Sequence, residues 1–309
     1  MTKLFNFTQI LILVSLIPVS CGSHVAGRDI PALEPPSEEF KNYWFKGKAE
    51  ISSYQLKQAR YGEIRQGKAV MVFVTEDFSR NKQVKLDQPQ RAGTDAVKVM
   101  KLNLTKKFKT GVYPYSMMQS VFTPVDLTKS PHSLKVTTSS QEWCGHTYAQ
   151  LNLQPDGYSV QAYSYFESEG DQKERLDQVI LEDEIWNRIR IAPDQLPVDK
   201  FSIIPNTMTQ RLRHTPVEVV RVHGSLKEHN VEQWVYELDF ASPERNLKIY
   251  FNKEFPYAIQ GWEETYRDGF GANAQELTTT ATLDRTIISD YWTKNSNADA
   301  HLRKELNLE

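Results

Sequence analysis

Long runs of alternating apolar and polar residues, ended by tight-turn chemistry, restrict what this chain can fold into. The stretch YAQLNLQPDGYSVQAYSYF reads as two such runs joined at Pro155-Asp156-Gly157. Successive strand side chains point to opposite faces, so each run buries one face and wets the other. Pro, Asp and Gly are the residues that close a reversal, so the pair is a hairpin. A second hairpin is VEQWVYELDFASPERNLKIYFN, turning at Ser242-Pro243. Trp234, Tyr236, Leu238 and Phe240 share one face, and Leu247, Ile249 and Phe251 share another. Further strands are expected at 69–74, 97–108, 217–224, 257–266 and 276–288. In VKVMKLNLTKKF the alternation slips once, at Val99-Met100, which suggests a bulge. Segment 173–190 fits helix and strand equally, and SDYWTKNSNADAHLRKELNL offers a terminal helix. The fold class is therefore mainly β: a curved antiparallel sheet or half-barrel with few helices and a short C-terminal helix.

The N-terminal residues set the compartment. Lys3 precedes an apolar run from about Ile10 to Ile17, followed by small residues. That is the layout of a secretory signal, and the run is too short to span a bilayer. Ile17-Pro18-Val19-Ser20-Cys21 resembles a bacterial lipobox, with Pro18 where Leu is usual. The resemblance implies acylation of Cys21, and several acyl chains are enough for stable anchoring. Gly22 after the cysteine resembles the outer-membrane sorting signal of many lipoproteins. Residues 22–39 are rich in Pro, small and acidic residues, as in a flexible tether. The expected organisation is a signal peptide over 1–20, a lipidated Cys21 and tether over 21–39, and a β body over 40–309. A break between sub-sheets is expected near 190–200. The predicted location is an exported lipoprotein of the outer membrane, held to the membrane through its lipid anchor. Without residues 1–20 the chain carries 36 Lys and Arg against 39 Asp and Glu. A slightly acidic body is not a nucleic-acid binder.

Two resemblances follow. A lipobox and Pro-rich tether leading into YELDFASPERNLKIYFNKEFPYAIQGWEETY resembles the envelope lipoproteins built on a lipoprotein-carrier or lipocalin-like half-barrel. The segments YWFKGKAEISSYQLKQARYGE, GVYPYSMMQSVFTPVD and KVTTSSQEWCGHT are similar to a group of uncharacterised bacterial envelope lipoproteins often labelled septum formation inhibitor Maf. The true Maf family comprises intracellular nucleotide pyrophosphatases with a Ser-x-Arg-Arg motif on an α/β fold. This chain has no such motif, and that activity does not carry over.

Candidate chemistry is sparse. With Cys21 acylated, Cys144 has no intramolecular partner. Cys144 and His146 stand two apart in EWCGHT, so an imidazole could activate the thiol as a nucleophile. Free cysteines are more often packed, and a packed thiol is the expectation. His214, His223 and His229 are expected at the surface, with weak metal binding by HGSLKEH as the alternative. The acidic run 167–184 reads as a solvated loop rather than a pair of catalytic carboxylates. Lys98, Lys101, Lys106, Lys107 and Lys109 look like the solvent face of an edge strand, or a patch for anionic headgroups or glycans. GVYPYSMMQSVFTPVD (111–126) reads as a Met-rich apolar loop. It either folds over the core or lines a ligand mouth with Tyr113, Tyr115, Met117, Met118 and Phe122. No phosphate loop, nucleophile elbow, metal-ligand pair or other cofactor motif is present. The functional expectation is a lipid-anchored, non-catalytic binding or assembly module. Its concave face would hold an apolar ligand such as a lipid, or an envelope protein partner. The alternatives are a thiol-dependent envelope enzyme using Cys144 and His146, and a structural protein that grips a partner by a sheet edge or its Lys cluster.

Overall fold

The computed structural model describes residues 33–308; the signal, Cys21 and most of the tether lie outside the described residues. A short helix α1 (Glu38–Trp44) leads into a meander of eight antiparallel strands. These are β1 (Ala49–Arg60), β2 (Glu63–Ser79), β3 (Ala96–Thr110), β4 (Tyr113–Pro124), β5 (Lys135–Glu142), β6 (Gly145–Gln154), β7 (Gly157–Ser164) and β8 (Gln172–Leu176). The two-residue strand β9 (Ile180–Leu181), helix α2 (Glu182–Ile191) and β10 (Asp199–Ile204) follow, then helix α3 (Thr207–Arg213). A second meander comprises β11 (Val220–Glu228), β12 (Gln233–Ala241), β13 (Glu244–Asn252), β14 (Ile259–Asp268) and β15 (Gln275–Ser289), and the chain ends in α4 (His301–Glu305). β15 pairs with β1, so the two meanders form one fifteen-stranded sheet running from β8 to β9.

The fold is the curved, mainly antiparallel sheet that the alternation demands. The Pro155-Asp156 turn joins β6 to β7, and the Ser242-Pro243 turn joins β12 to β13. The strands on either side of 190–200 belong to one hydrogen-bonded sheet, not two. Both ends of the sheet are protected. β8 is short and exposes Lys173, Glu174 and Arg175, charges that discourage pairing with another chain. β9 is only two residues long. Three residues separate β8 from β9, so Leu176 and Ile180 stand at most about 15 Å apart and the sheet curls almost onto itself. Close strand approach on that curl requires Gly67, where a Cβ would lie 2.3 Å from the Lys107 carbonyl.

Three readings of the strands are corrected. Val99-Met100 is no bulge: β3 keeps unbroken register with β2 and β4. Met100 faces the interior while Val99 packs on the outer face with Phe78 and Leu134. The register shifts lie instead at Ser53/Tyr54 and Tyr250/Phe251. Residues 111–126 are no loop but β4, an internal strand with Tyr115, Met117 and Val121 in the core. β3 is not an edge strand either, and its lysines do not share a face. Lys106 points inward and is buried, Lys101 pairs with Glu76 at 2.7 Å, and Lys98 pairs with Asp77 at 2.6 Å. Only Lys107 and Lys109 remain as an exposed outer pair.

The concave face holds no open apolar groove, because the chain's own helices fill it. β9 and β10 are parallel, so a crossover must join them, and α2 is that crossover. Glu182 through Arg190 are all buried on it, which corrects the solvated reading at its last three residues, Glu182 to Glu184, while 167–180 stay exposed or half-buried. Glu182, Glu184, Arg188 and Arg190 survive there because each meets a partner of opposite charge. Burial and the neighbouring Glu182 charge instead push the Asp183 carboxyl up to about 8, and it accepts from Gln119, Asn206 and Thr207. Glu182 is bound by Arg245 from β13, whose Nη1 also reaches Glu264 of β14 at 2.8 Å. Glu184 takes Arg188 at 2.9 Å and the Ser133 backbone N–H at 2.6 Å. Arg190 forms a fork with Glu50 of β1 at 2.6 and 2.7 Å. Asn187 donates to Thr123 at 2.8 Å. The interior is a polar plug ringed by aromatic and aliphatic side chains.

The meander sends alternate turns to opposite ends. At one end α1 closes the sheet, with Phe40 and Trp44 buried in the core. At the other end gather the β1–β2, β3–β4, β5–β6, β7–β8, β12–β13 and β14–β15 turns, together with the C-terminus of α3.

Outside, α4 and the residues after it lay Leu306 and Leu308 over Ile51, Val70, Val72 and Val74. Elsewhere the outer face carries Lys57, Lys107, Lys248 and Glu263 in mid-strand. Each lysine would cost about 2–4 kcal/mol facing lipid at mid-bilayer and the glutamate less, which suits this surface to water. No described helix is long and apolar enough to cross a membrane.

Candidate functional site: an aromatic mouth

The open end carries a concentration of exposed rings. Val112, Trp143, Tyr165 and Phe270, each from a different turn, are 78%, 69%, 70% and 65% exposed. Scattered apolar surface residues are ordinary, but a contiguous group at one end is not. Ring contacts connect them. Trp143 stacks on Tyr113 at 6.4 Å, and Tyr113 lies 5.9 Å from Tyr115. The Tyr115 and Tyr61 hydroxyls meet at 2.8 Å. Tyr61 neighbours Phe270, Phe270 neighbours His214, and His214 meets Phe166 edge-on at 5.6 Å. Phe166 touches Tyr165 at 5.5 Å. Tyr165 lies across Gly145, where a Cβ would come within 2.7 Å of its ring. The circuit therefore closes beside Trp143, and Gly145 is required by that approach and by its φ of +157°.

Charged groups stand inside this collar. Arg60 of β1 is buried, lies 4.0 Å over the Tyr61 ring, donates to Tyr115 and caps the Leu212 carbonyl at the end of α3. Asn206 starts α3 by accepting from the Met208 and Thr209 N–H groups at 3.0 and 3.1 Å. The helix ends at His214, whose left-handed φ of +54° turns its ring into the mouth. His214 Nδ1 lies 2.5 Å from Glu169, and Arg211 reaches Glu169 at 3.4 Å and Glu142 at 3.9 Å. Burial pushes the Glu169 carboxyl up, but the Ser164 hydroxyl and the His214 and Arg211 charges more than reverse this and hold it below its usual range.

Cys144 sits in the Trp143-Cys144 turn and is exposed, not packed. A hydrogen bond to the Glu142 carboxylate, together with that carboxylate's charge, pushes the thiol up. Such a thiol resists becoming the thiolate that nucleophilic chemistry requires. His146 is exposed on the strand that follows the turn. Of the other sequence candidates, Tyr113 and Tyr115 join the mouth. Met117 is core, while Met118 and Phe122 lie on the outer face, Phe122 stacked on Phe78 at 4.8 Å. Lys107 and Lys109 lead toward the Val112 tip, whereas Lys101 and Lys106 are held in ion pairs or buried. The three histidines are not gathered: His214 is in the mouth, His223 on the outer face and His229 near a turn at the other end. No group of metal-ligating residues occurs among the described residues.

Sequence reasoning missed Trp143, Tyr165, Phe166, Phe270, Tyr61, Arg60 and Arg211. The available signal was that aromatic residues flank several turns that an antiparallel meander must send to the same end.

Two recesses bear on binding. One, of about 180 Å³, lies beside the mouth between α3 and the inner face of β5–β7. The other, about 670 Å³ and open, lies on the side of the sheet, lined by Lys200, Arg221, His223, Asp239, Asn246 and Arg267 among others.

No family model matches the chain, and no curated protein matches it. Among solved structures it is similar to a beta-barrel-like protein of a domain of unknown function, DUF1849, from Brucella abortus. That likeness has 8% identity and a TM-score of 0.46 over 78% of this chain and 98% of that one. A porin-like protein from Bacteroides uniformis is similar at 6% identity and a TM-score of 0.17, over 78% of this chain and 96% of that one.

Proposed function

We propose that this chain is an exported, lipid-anchored binding or assembly module of the cell envelope, probing its surroundings with the aromatic mouth and performing no chemistry there. The single observation that carries the reading is the gathering of three strongly exposed rings, Trp143, Tyr165 and Phe270, from three different turns at one end of the body. Trp and Tyr in a cluster, with Arg beneath them, are the residue types that dominate protein interfaces. Glu169, His214 and Arg211 are mutually paired, Arg60 is committed to the tyrosine hydroxyls and the Leu212 carbonyl, and the thiol at the edge is pushed up, which favours contact over proton transfer at the mouth. That α2 fills the concave side supports the mouth, rather than the inside of the sheet, as the surface offered to an apolar ligand or envelope partner. Acylation of Cys21 and outer-membrane residence remain part of the proposal, drawn from residues outside the described ones.

The test is a photo-crosslinking residue at Phe270 in cells, with Lys248 on the outer face as control. A discrete adduct from Phe270 that is absent from Lys248 and lost in Trp143→Ala supports the reading. Equal adducts at both positions, or none at Phe270, defeats it. Intact-mass analysis of the membrane fraction checks the anchor, which requires an acylated Cys21 as the first residue.

A further inference from the structure

We propose that the outer wall of β4–β7 is a platform for a neutral, ribbon-like glycan chain, a site separate from the mouth. The inner face of these strands is core, with Met117, Val136, Leu151 and Val160 buried on it. The alternate positions therefore face outward. They run over 116–120 on β4, 137–141 on β5, 146–150 on β6 and 161–163 on β7, and the four strands keep unbroken register. None of these eleven positions carries Lys, Arg, Asp or Glu. Charged residues make up 25% of the chain, so a surface of this extent would ordinarily hold about three of them. Charge resumes at the borders, with Lys107 on β3, Lys173 on β8 and Lys135 one row toward the sealed pole.

Two rings are fixed on this wall. Tyr148 and Tyr163 stand directly opposite in the β6–β7 ladder, which puts their Cβ atoms about 5 Å apart. The Tyr148 hydroxyl donates to Gln150 at 2.6 Å and, more weakly, the Tyr163 hydroxyl donates to Gln161 at 3.4 Å. Each partner stands two residues along the same strand, and in an antiparallel pair both bonds then point the same way. The rings thus lie side by side along their strands, each with one face open, at 36% and 43% exposure. Ser139 and Met118 continue the same row, Met118 being 42% exposed. Around them the side chains of Ser116, Thr137, Ser139 and Gln141 make no hydrogen bond among the described residues. A sugar offers the matching complement, a C–H face for an aromatic ring and hydroxyls for Ser, Thr and Gln at its rim. Three strand spacings make the wall about 14 Å wide, enough for several sugars of an extended chain crossing the strands. A polyanion finds no cation within it. A protein partner is a poorer fit, since interface cores are depleted in Ser, hot spots are poor in Ser and Thr, and Arg is missing here.

The experiment is affinity electrophoresis of the full chain through native gels cast with glucomannan or hydroxyethyl cellulose, both neutral ribbons. Alginate serves as an anionic ribbon and dextran as a neutral flexible coil. Retardation is expected in both neutral-ribbon gels, with affinity at least tenfold lower for alginate and dextran. Tyr148→Ala combined with Tyr163→Ala should weaken it at least tenfold. If that variant melts early, Ser139→Arg lays a long side chain across the row from an outward position and should weaken it as much. Phe270→Ala should leave the retardation in place, and the tyrosine variants should leave the Phe270 crosslink in place, so wall and mouth fail separately. No retardation by either neutral ribbon, equal retardation by alginate or dextran, or retardation that survives both wall variants in folded protein overturns the inference. So does a dimer in sedimentation that the tyrosine variants dissolve, which would assign the wall to a second copy of the chain.

Discussion

Removing Arg245 tests whether the buried plug is held by paired charge. Arg245 is 4% exposed and bridges Glu182 of α2 to Glu264 of β14, with Lys106 facing the same carboxylates. Four charges balance in that cluster. Arg245→Leu leaves two buried carboxylates against one lysine, and breaking a buried pair in this way costs about 3–5 kcal/mol. For a body of this size that corresponds to a loss of roughly 5–9 °C in melting temperature. Glu182→Gln combined with Arg245→Leu leaves the Glu264–Lys106 pair neutral, so the double variant should be more stable than the single one. The pH dependence supplies a second check. Burial pushes the Glu264 carboxyl up, and the Arg245 and Lys106 charges more than reverse it, leaving it below its ordinary value. Its contribution in the native protein is therefore present above the unfolded pKa and lost as pH falls through the folded one. Without Arg245 the burial effect prevails and the folded pKa lies above the unfolded one. The stability is then held at low pH and lost as pH rises through that folded value. Thermal and urea melts from pH 5 to pH 8 should show the variant's deficit narrowing toward acid. A deficit below about 1 kcal/mol, additive effects in the double variant, or an unchanged pH trend would refute the account.

Further outcomes follow from the same geometry. Asn206→Ala removes the cap of α3 and its bond to Asp183 and should cost about 2 kcal/mol in a urea melt, with the far-UV strand signal retained. Cys144 should react with iodoacetamide at neutral pH more slowly than a free thiol in solution despite its exposure, and Glu142→Gln should speed it. Trp143→Ala should leave the melting temperature within about 1 °C, because the ring is largely in water, while removing the Phe270 crosslink.

The sheet was legible wherever partners are close in sequence. Pro155-Asp156-Gly157 and Ser242-Pro243 announce their hairpins because turn and register are local properties. α2 was illegible for the opposite reason. EDEIWNRIRI fits helix and strand equally, and its leading carboxylates look solvated until Glu50, Arg245 and Ser133 arrive from segments as much as 140 residues away. β4 misled because both of its faces are partly covered, which erases the period-two signal over YPYSMMQSVFTP. Cys144 was placed inside by the statistics of cysteine burial, yet a two-residue turn leaves its side chains nowhere to go but outward. The mouth could not be seen as a unit, since Tyr113, Trp143, Tyr165 and Phe270 become neighbours only when the sheet curls.

The chain enters its folded body at the end that α1 seals, with Leu33 to Pro36 lying near Ile191 and Phe255, while the rings occupy the opposite pole. Entry of the chain and exposure of the rings therefore fall on opposite poles of the same sheet, so a partner seated on the rings leaves the sealed pole free.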